Sequence, residues 1–130
     1  MLRKANPFDK YLSKEDRLQR ACCNYLNLQY PNVLYTHPAN EGKRTPFEQY
    51  KALIMGMKAG IPDLLIFESA GSYKGLAIEF KIGKNKPTVK QMQMSNKLTD
   101  RGWLVKVIYS LDEFIELVTL YFSNKLVISE

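Results

Sequence analysis

Gly60-Ile61-Pro62-Asp63-Leu64-Leu65-Ile66-Phe67-Glu68-Ser69-Ala70-Gly71-Ser72-Tyr73-Lys74-Gly75-Leu76-Ala77-Ile78-Glu79-Phe80-Lys81 is the stretch on which the fold turns. Leu64 to Phe67 and Leu76 to Phe80 are short apolar runs separated by Ser69, Gly71, Ser72 and Gly75, the punctuation of an antiparallel hairpin. Folding about Gly71 sets Asp63 opposite Glu79, because each lies eight residues from that centre. Opposed residues share a face, so two carboxylates converge. Glu79 and Lys81, two apart on an extended segment, also leave the same face. Charges in a run otherwise made of Leu76, Ala77, Ile78 and Phe80 cost several kcal/mol, on the order of a buried ion, unless they are paired or bind something.

Two readings of that triplet stand side by side. One is a salt bridge between Glu79 and Lys81 or a neighbour, with Asp63 capping a turn after Pro62. The other is a cation site: close carboxylates repel, and a divalent ion between them removes the cost. Oxygen ligands suit Mg²⁺ or Mn²⁺. The surroundings favour the second reading. Lys81, Lys84, Lys86 and Lys90 put four lysines and no acid between positions 81 and 90, a strip suited to tracking phosphates.

Outward from the hairpin, helices announce themselves by their caps. Ser13-Lys14-Glu15-Asp16, Thr45-Pro46-Phe47-Glu48, Thr88-Val89-Lys90-Gln91 and Ser110-Leu111-Asp112-Glu113 each place a hydroxyl three residues before a carboxyl or amide. Helices are predicted over about 14–30, stopped by Pro31; about 46–58, ending before Gly60; about 89–101, ending at Gly102; and an amphipathic last helix using Leu111, Phe114, Ile115, Leu117, Val118 and Tyr121. Val33 to Thr36 and Trp103 to Tyr109 read as strands, and Leu126-Val127-Ile128 as an extra edge strand. The helical crossover makes the 103–109 strand parallel to the one carrying Glu79. The order αβ-α-ββαβα gives an α/β fold, a mixed sheet flanked by helices in one domain over residues 1–130. Gln91 fits both the Thr88 cap and a place at the strand end, where its amide could orient a water or a phosphate.

Composition sets outer bounds. A net charge of +6 and a pI near 9.3 favour a polyanionic partner. Adjacent Cys22 and Cys23 cannot form an ordinary disulfide, and with His37 as the single histidine there is no zinc spacing. The start of the chain lacks the apolar run of a signal peptide, and no stretch approaches the ~20 apolar residues of a membrane span, so no membrane partner is expected and the cytoplasm is the expected compartment.

Read together, these residues resemble the VRR-NUC family, the virus-type replication and repair nucleases of the PD-(D/E)xK superfamily. The resemblance runs through Glu15 and Gln19, Asn40-Glu41 after His37, Gly60-Ile61-Pro62-Asp63, Gly75 to Lys81, Gln91, Leu98 and Gly102. It implies a restriction-endonuclease-like fold and a metal-dependent DNA endonuclease. Asp63, Glu79 and the carbonyl of Phe80 would hold Mg²⁺ or Mn²⁺, Lys81 would position or activate water, and Gln91 would complete the motif. Glu15 matches the family's first-helix acid, which reaches toward the metal; its other reading is a charge placed for the helix N-terminus. Lys43 and Arg44 join Lys84, Lys86 and Lys90 as expected phosphate contacts. Cleavage in such enzymes leaves a 5′-phosphate and a 3′-hydroxyl. Short members, from phages and bacteria, are similar to Holliday-junction resolvases, which implies a homodimer on branched DNA, built through the apolar helices or the 126–128 edge. Two other activities fit the same residues: a flap, single-strand or nicking nuclease, and a DNA-binding module without turnover.

Overall fold

A computed structural model of the chain describes residues 6–38 and 44–123. A short 3-10 helix, Pro7–Tyr11, precedes α1 (Lys14–Gln29), β1 (Tyr35–Thr36), α2 (Pro46–Ile54), β2 (Leu64–Ile66), β3 (Gly75–Phe80), α3 (Val89–Asp100), β4 (Trp103–Ile108) and α4 (Leu111–Phe122). The strands lie in the order β1-β2-β3-β4. β2 is antiparallel to both neighbours, and β3 and β4 run parallel. This is the expected mixed sheet flanked by helices, of the restriction-endonuclease-like α/β kind. Asn40, Glu41, Lys43 and the segment Leu126-Val127-Ile128 lie outside the described residues.

Alternation along the strands divides the sheet into two faces. Leu64, Ile66, Leu76, Ile78, Phe80 and Ile108 pack with Cys22 and Leu26 of α1 and with Phe114, Leu117, Val118 and Tyr121 of α4. α3 returns over the other face. β3 is buried along its whole length, as befits a central strand covered on both sides.

The hairpin register is the one predicted: Leu64 pairs with Ile78, Leu65 with Ala77 and Ile66 with Leu76, and one step further sets Asp63 against Glu79. The turn that produces it is different. Ala70 pairs with Tyr73, so the hairpin closes between Gly71 and Ser72, with three residues between Ile66 and Ala70 but only two between Tyr73 and Leu76. The extra residue on the first arm acts as a bulge and shifts the pairing by one. Without it Asp63 would oppose Phe80, on the core face.

The capping boxes at Ser13, Thr45 and Thr88 all form, with hydroxyl and third-residue side chain bonded reciprocally. The predicted end of α2 is corrected. The helix stops at Ile54 rather than Lys58, because Gly56 takes a positive φ of 99°, while Met57 N–H bonds to Ala52 O at 3.0 Å and Gly56 N–H to Leu53 O at 3.1 Å. That pair of bonds is a glycine-terminated helix end. β1 covers Tyr35–Thr36 alone, since Val33 is held in a turn by Tyr30 O at 3.1 Å. Among the described residues no helix is long and apolar enough to cross a membrane.

Candidate active site

Asp63 and Glu79 are the buried charged side chains of the described protein, at 3% and 2% exposure. Both stand on the face of the sheet turned toward α3. Asp63 Oδ2 accepts the Phe80 N–H at 2.8 Å, so its carboxylate is drawn across the hairpin to the end of β3. Phe80 itself faces the core, and only its backbone belongs to the site.

Gln91 makes the expected cap and a second bond, to Glu79, that differs from the water or phosphate contact expected of it. Its Oε1 accepts the Thr88 N–H at 2.9 Å, completing the cap, while its Nε2 donates to Glu79 Oε1 at 3.0 Å. One amide therefore ties the first turn of α3 to a buried carboxylate. Gly60, with φ +80°, makes room for this: a Cβ there would stand 2.4 Å from Lys90 O and 3.0 Å from Gln91 N. The glycine of Gly60-Ile61-Pro62-Asp63 is thus a point of close backbone approach between the strand carrying Asp63 and the helix carrying Gln91.

Lys81 is half-buried and continues the β3–β4 ladder through its N–H to Ile108 O at 3.0 Å. Glu15, on the first turn of α1, feels the same site. Burial raises its carboxyl above the ordinary value, the Asp63 charge adds to the rise, Lys81 lowers it, and Asp16 raises it slightly. Glu15, Asp63 and Lys81 therefore share one electrostatic neighbourhood. Among the described residues no three His, Cys, Asp or Glu side chains gather closely enough to cage a metal. Glu15 lies within electrostatic reach of Asp63, and the buried Asp63 and Glu79 offer oxygen donors of the kind a hard divalent ion takes.

Two further residues hold Asp63 that sequence reasoning did not assign. His37 Nδ1 lies 2.5 Å from the Asp63 carbonyl oxygen, and Gln19 Nε2 lies 3.4 Å from the same oxygen and 3.0 Å from His37 Nδ1. A carbonyl only accepts, so in the tautomer that bonds Asp63 the His37 Nδ1–H and the Gln19 amide both donate to the Asp63 oxygen. The only signal available was indirect, a lone histidine just beyond a short strand.

The basic residues separate into groups. Lys84 and Lys86 line, with Gly83 and Tyr109, a cleft of about 510 Å³ immediately beyond Lys81. Lys90 is exposed on the first turn of α3, and Arg44 is half-buried just before α2.

A mixed sheet whose central hairpin turns two buried carboxylates toward a helix N-terminus, with a lysine two residues on, is the arrangement of a restriction-endonuclease-like domain. Comparison with solved structures narrows it. A structure titled "VRR_NUC domain protein" is 28% identical, with a TM-score of 0.72, over 86% of this chain and 90% of the other. A second, "VRR_NUC domain", is 22% identical, with a TM-score of 0.58, over 85% of this chain and 99% of the other. No protein-family model and no curated protein sequence matches. The chain has the VRR-NUC domain fold, a nuclease-type domain.

Proposed function

We propose that the protein is a divalent-metal-dependent DNA endonuclease, selective for branched DNA in the manner of a Holliday-junction resolvase, and acting as a homodimer. The observation that carries this reading is the pair Asp63 and Glu79: two buried carboxylates at facing positions. Burial and like charge both penalise their ionised forms, and a bound cation offsets both penalties. Asp63 and Glu79, with the Phe80 carbonyl, would hold Mg²⁺ or Mn²⁺, which supplies charge neutralisation at a phosphoryl oxygen and a more acidic water.

The chain's own groups supply the rest. Lys81 steadies the attacking oxygen and the negative charge that develops on the phosphoryl group. Gln91 fixes the orientation of Glu79, as Phe80 N–H, His37 and Gln19 fix Asp63. Water oxygen bonds to phosphorus as the P–O3′ bond breaks in line, and the proton released from water ends on the 3′ oxygen. The products are a 5′-phosphate and a 3′-hydroxyl. Lys84, Lys86 and Lys90, with Arg44 and Lys43, form the phosphate-contacting surface in this reading.

The homodimer is supported by α2, which packs against no other element of the described chain. Phe47, Tyr50, Leu53 and Ile54 are each at least 57% exposed. A nine-residue helix does not hold its shape alone in water. A second copy is the occupant that suits it, because the helix carries an acid, Glu48, in its first turn and a base, Lys51, in its last, and two antiparallel copies meet without a like-charge clash. α4, the other apolar helix, spends its buried residues on the core. A cytoplasmic setting, in a bacterium or a phage-infected cell, completes the reading.

The experiment is cleavage of four-way junctions, flaps and linear duplexes with Mg²⁺ or Mn²⁺. Paired symmetric cuts across junctions, lost in Asp63→Asn and Lys81→Ala while the lysine variant still binds DNA, are expected. Equal cutting of flaps and junctions would remove the selectivity. No cleavage of any substrate would leave a DNA-binding module.

A further inference from the structure

The loop after Lys81 is held at its start and in its middle. Lys81 N–H reaches Ile108 O at 3.0 Å, Asn85 N–H closes a turn on Ile82 O at 3.2 Å, and the Tyr109 hydroxyl donates to Asn85 O at 2.8 Å. Tyr109 is itself anchored, its N–H donating to Glu113 Oε1 at 2.9 Å. Glu113 N–H in turn bonds to Ser110 Oγ at 3.1 Å, so the residue after β4 is locked into the start of α4. A phenol whose hydroxyl is spent on a backbone carbonyl presents its ring in a fixed orientation.

That ring lines the cleft of about 510 Å³ together with Gly83, Lys84 and Lys86. The volume falls within the ~300–1,000 Å³ of clefts that take small molecules or single substrate units. Two ammonium groups and an aromatic ring, with no acid among the lining residues, suit one chemistry: a phosphate joined to a flat, polarisable base. In a duplex both faces of a base are covered by its neighbours, so a side-chain ring can stack only on a base that is unpaired or at a strand end.

We propose that the cleft between loop 82–87 and Tyr109 takes one unpaired nucleotide of the substrate strand, its phosphate against Lys84 and Lys86 and its base on the Tyr109 ring. The proposal rests on the nuclease reading for the identity of the strand, and it adds a subsite beside the scissile phosphate. At a branch point the base stack is interrupted, so a base beside the cut can leave its pair and enter the cleft, and cleavage is directed there. Tyr109 also positions the lysines, because its hydroxyl fixes the turn that carries them.

The test is binding of a single-stranded oligonucleotide carrying 2-aminopurine, scanned along its length, to the full chain in EDTA, so that no cleavage intervenes. Stacking on Tyr109 quenches the probe at one position. Tyr109→Leu is expected to abolish that quenching and weaken binding roughly tenfold, the effect of losing one stacked base. Tyr109→Phe keeps the ring and is expected to keep the quenching, with binding a few-fold weaker. Should Tyr109→Leu fail to fold, the double change Lys84→Ala with Lys86→Ala must weaken the same signal. Quenching that survives Tyr109→Leu, or that never appears although the protein cuts DNA, overturns the subsite and leaves the nuclease reading intact. Quenching lost in Tyr109→Leu, from a parent protein that never cuts DNA, supports the subsite and refutes the nuclease reading.

Discussion

Gln91 and Glu79 are joined by a 3.0 Å hydrogen bond, and the same amide closes the N-terminal cap of α3 through Thr88. A buried carboxylate is thereby positioned by the end of a helix twelve residues along the chain, and the spacing between sheet and helix becomes part of the site. Close approach is enforced at Gly60, where the backbone of Lys90 leaves no space for a side chain.

Gly60→Ala is expected to be costly on two counts, a positive φ of 80° and a methyl group 2.4 Å from a backbone oxygen. Together they amount to about 2–4 kcal/mol of lost stability. Urea unfolding measures it. A variant as stable as the parent would show that α3 is not held against residue 60, and the link from Gln91 to Glu79 would lose its support.

Metal binding should appear as stabilisation before any assay of cleavage. With Mg²⁺ or Mn²⁺ at a hundred times its dissociation constant, the parent gains about 2.7 kcal/mol. Asp63→Asn is expected to gain almost nothing, and to be at least as stable as the parent in EDTA because one buried charge is gone. Thermal melts with and without metal decide this. Equal shifts in both proteins would place the ion elsewhere.

Glu15 gives the site a pH dependence whose sign is fixed. Burial, and next the Asp63 charge, raise its folded pKa above the ordinary 4.5, so the folded protein holds the proton more tightly than the unfolded chain. Stability is therefore lost as pH rises from 4.5 through the raised value, and stays lost above it. Glu15→Gln does not titrate. Relative to the parent in EDTA, the variant should gain stability across that window and keep the advantage at neutral pH. A difference between the two melting curves that stays flat from pH 4 to 8 would contradict the assignment.

Placing a carboxylate in the apolar stripe of α2 tests the homodimer. Leu53→Glu removes nothing from the core, since Leu53 is 57% exposed. The variant should fold as the parent does yet dissociate at concentrations at least tenfold higher, read by sedimentation. Parent protein that sediments as monomer at micromolar concentration would dismiss the dimer.

Local chemistry made much of this protein readable from its residues. Ser13, Thr45 and Thr88 start their helices because each cap needs only a hydroxyl and a partner three residues on. The Gln91 cap is legible for the same reason, being local, whereas its bond to Glu79 depends on α3 packing beside the end of β3. The end of α2 was misjudged because two glycines, Gly56 and Gly60, compete to stop the helix. Their φ values of 99° and 80° fit either role, and only the close approach to Lys90 reserves Gly60 for the site.

What the amino-acid order determined unaided is the pattern: alternating apolar runs, caps and a central hairpin with acids at 63 and 79, all set by interactions reaching a few residues. What only the tertiary structure decided lies at long range. The pairing of Asp63 with Glu79 depends on an extra residue between Ile66 and Ala70 that no turn rule announces. His37 and Gln19 reach the Asp63 carbonyl from just beyond β1 and from α1, and α2 packs against no other element among the described residues. Such contacts join residues tens of positions apart, and they are settled by how sheet and helices pack rather than by any neighbour in sequence.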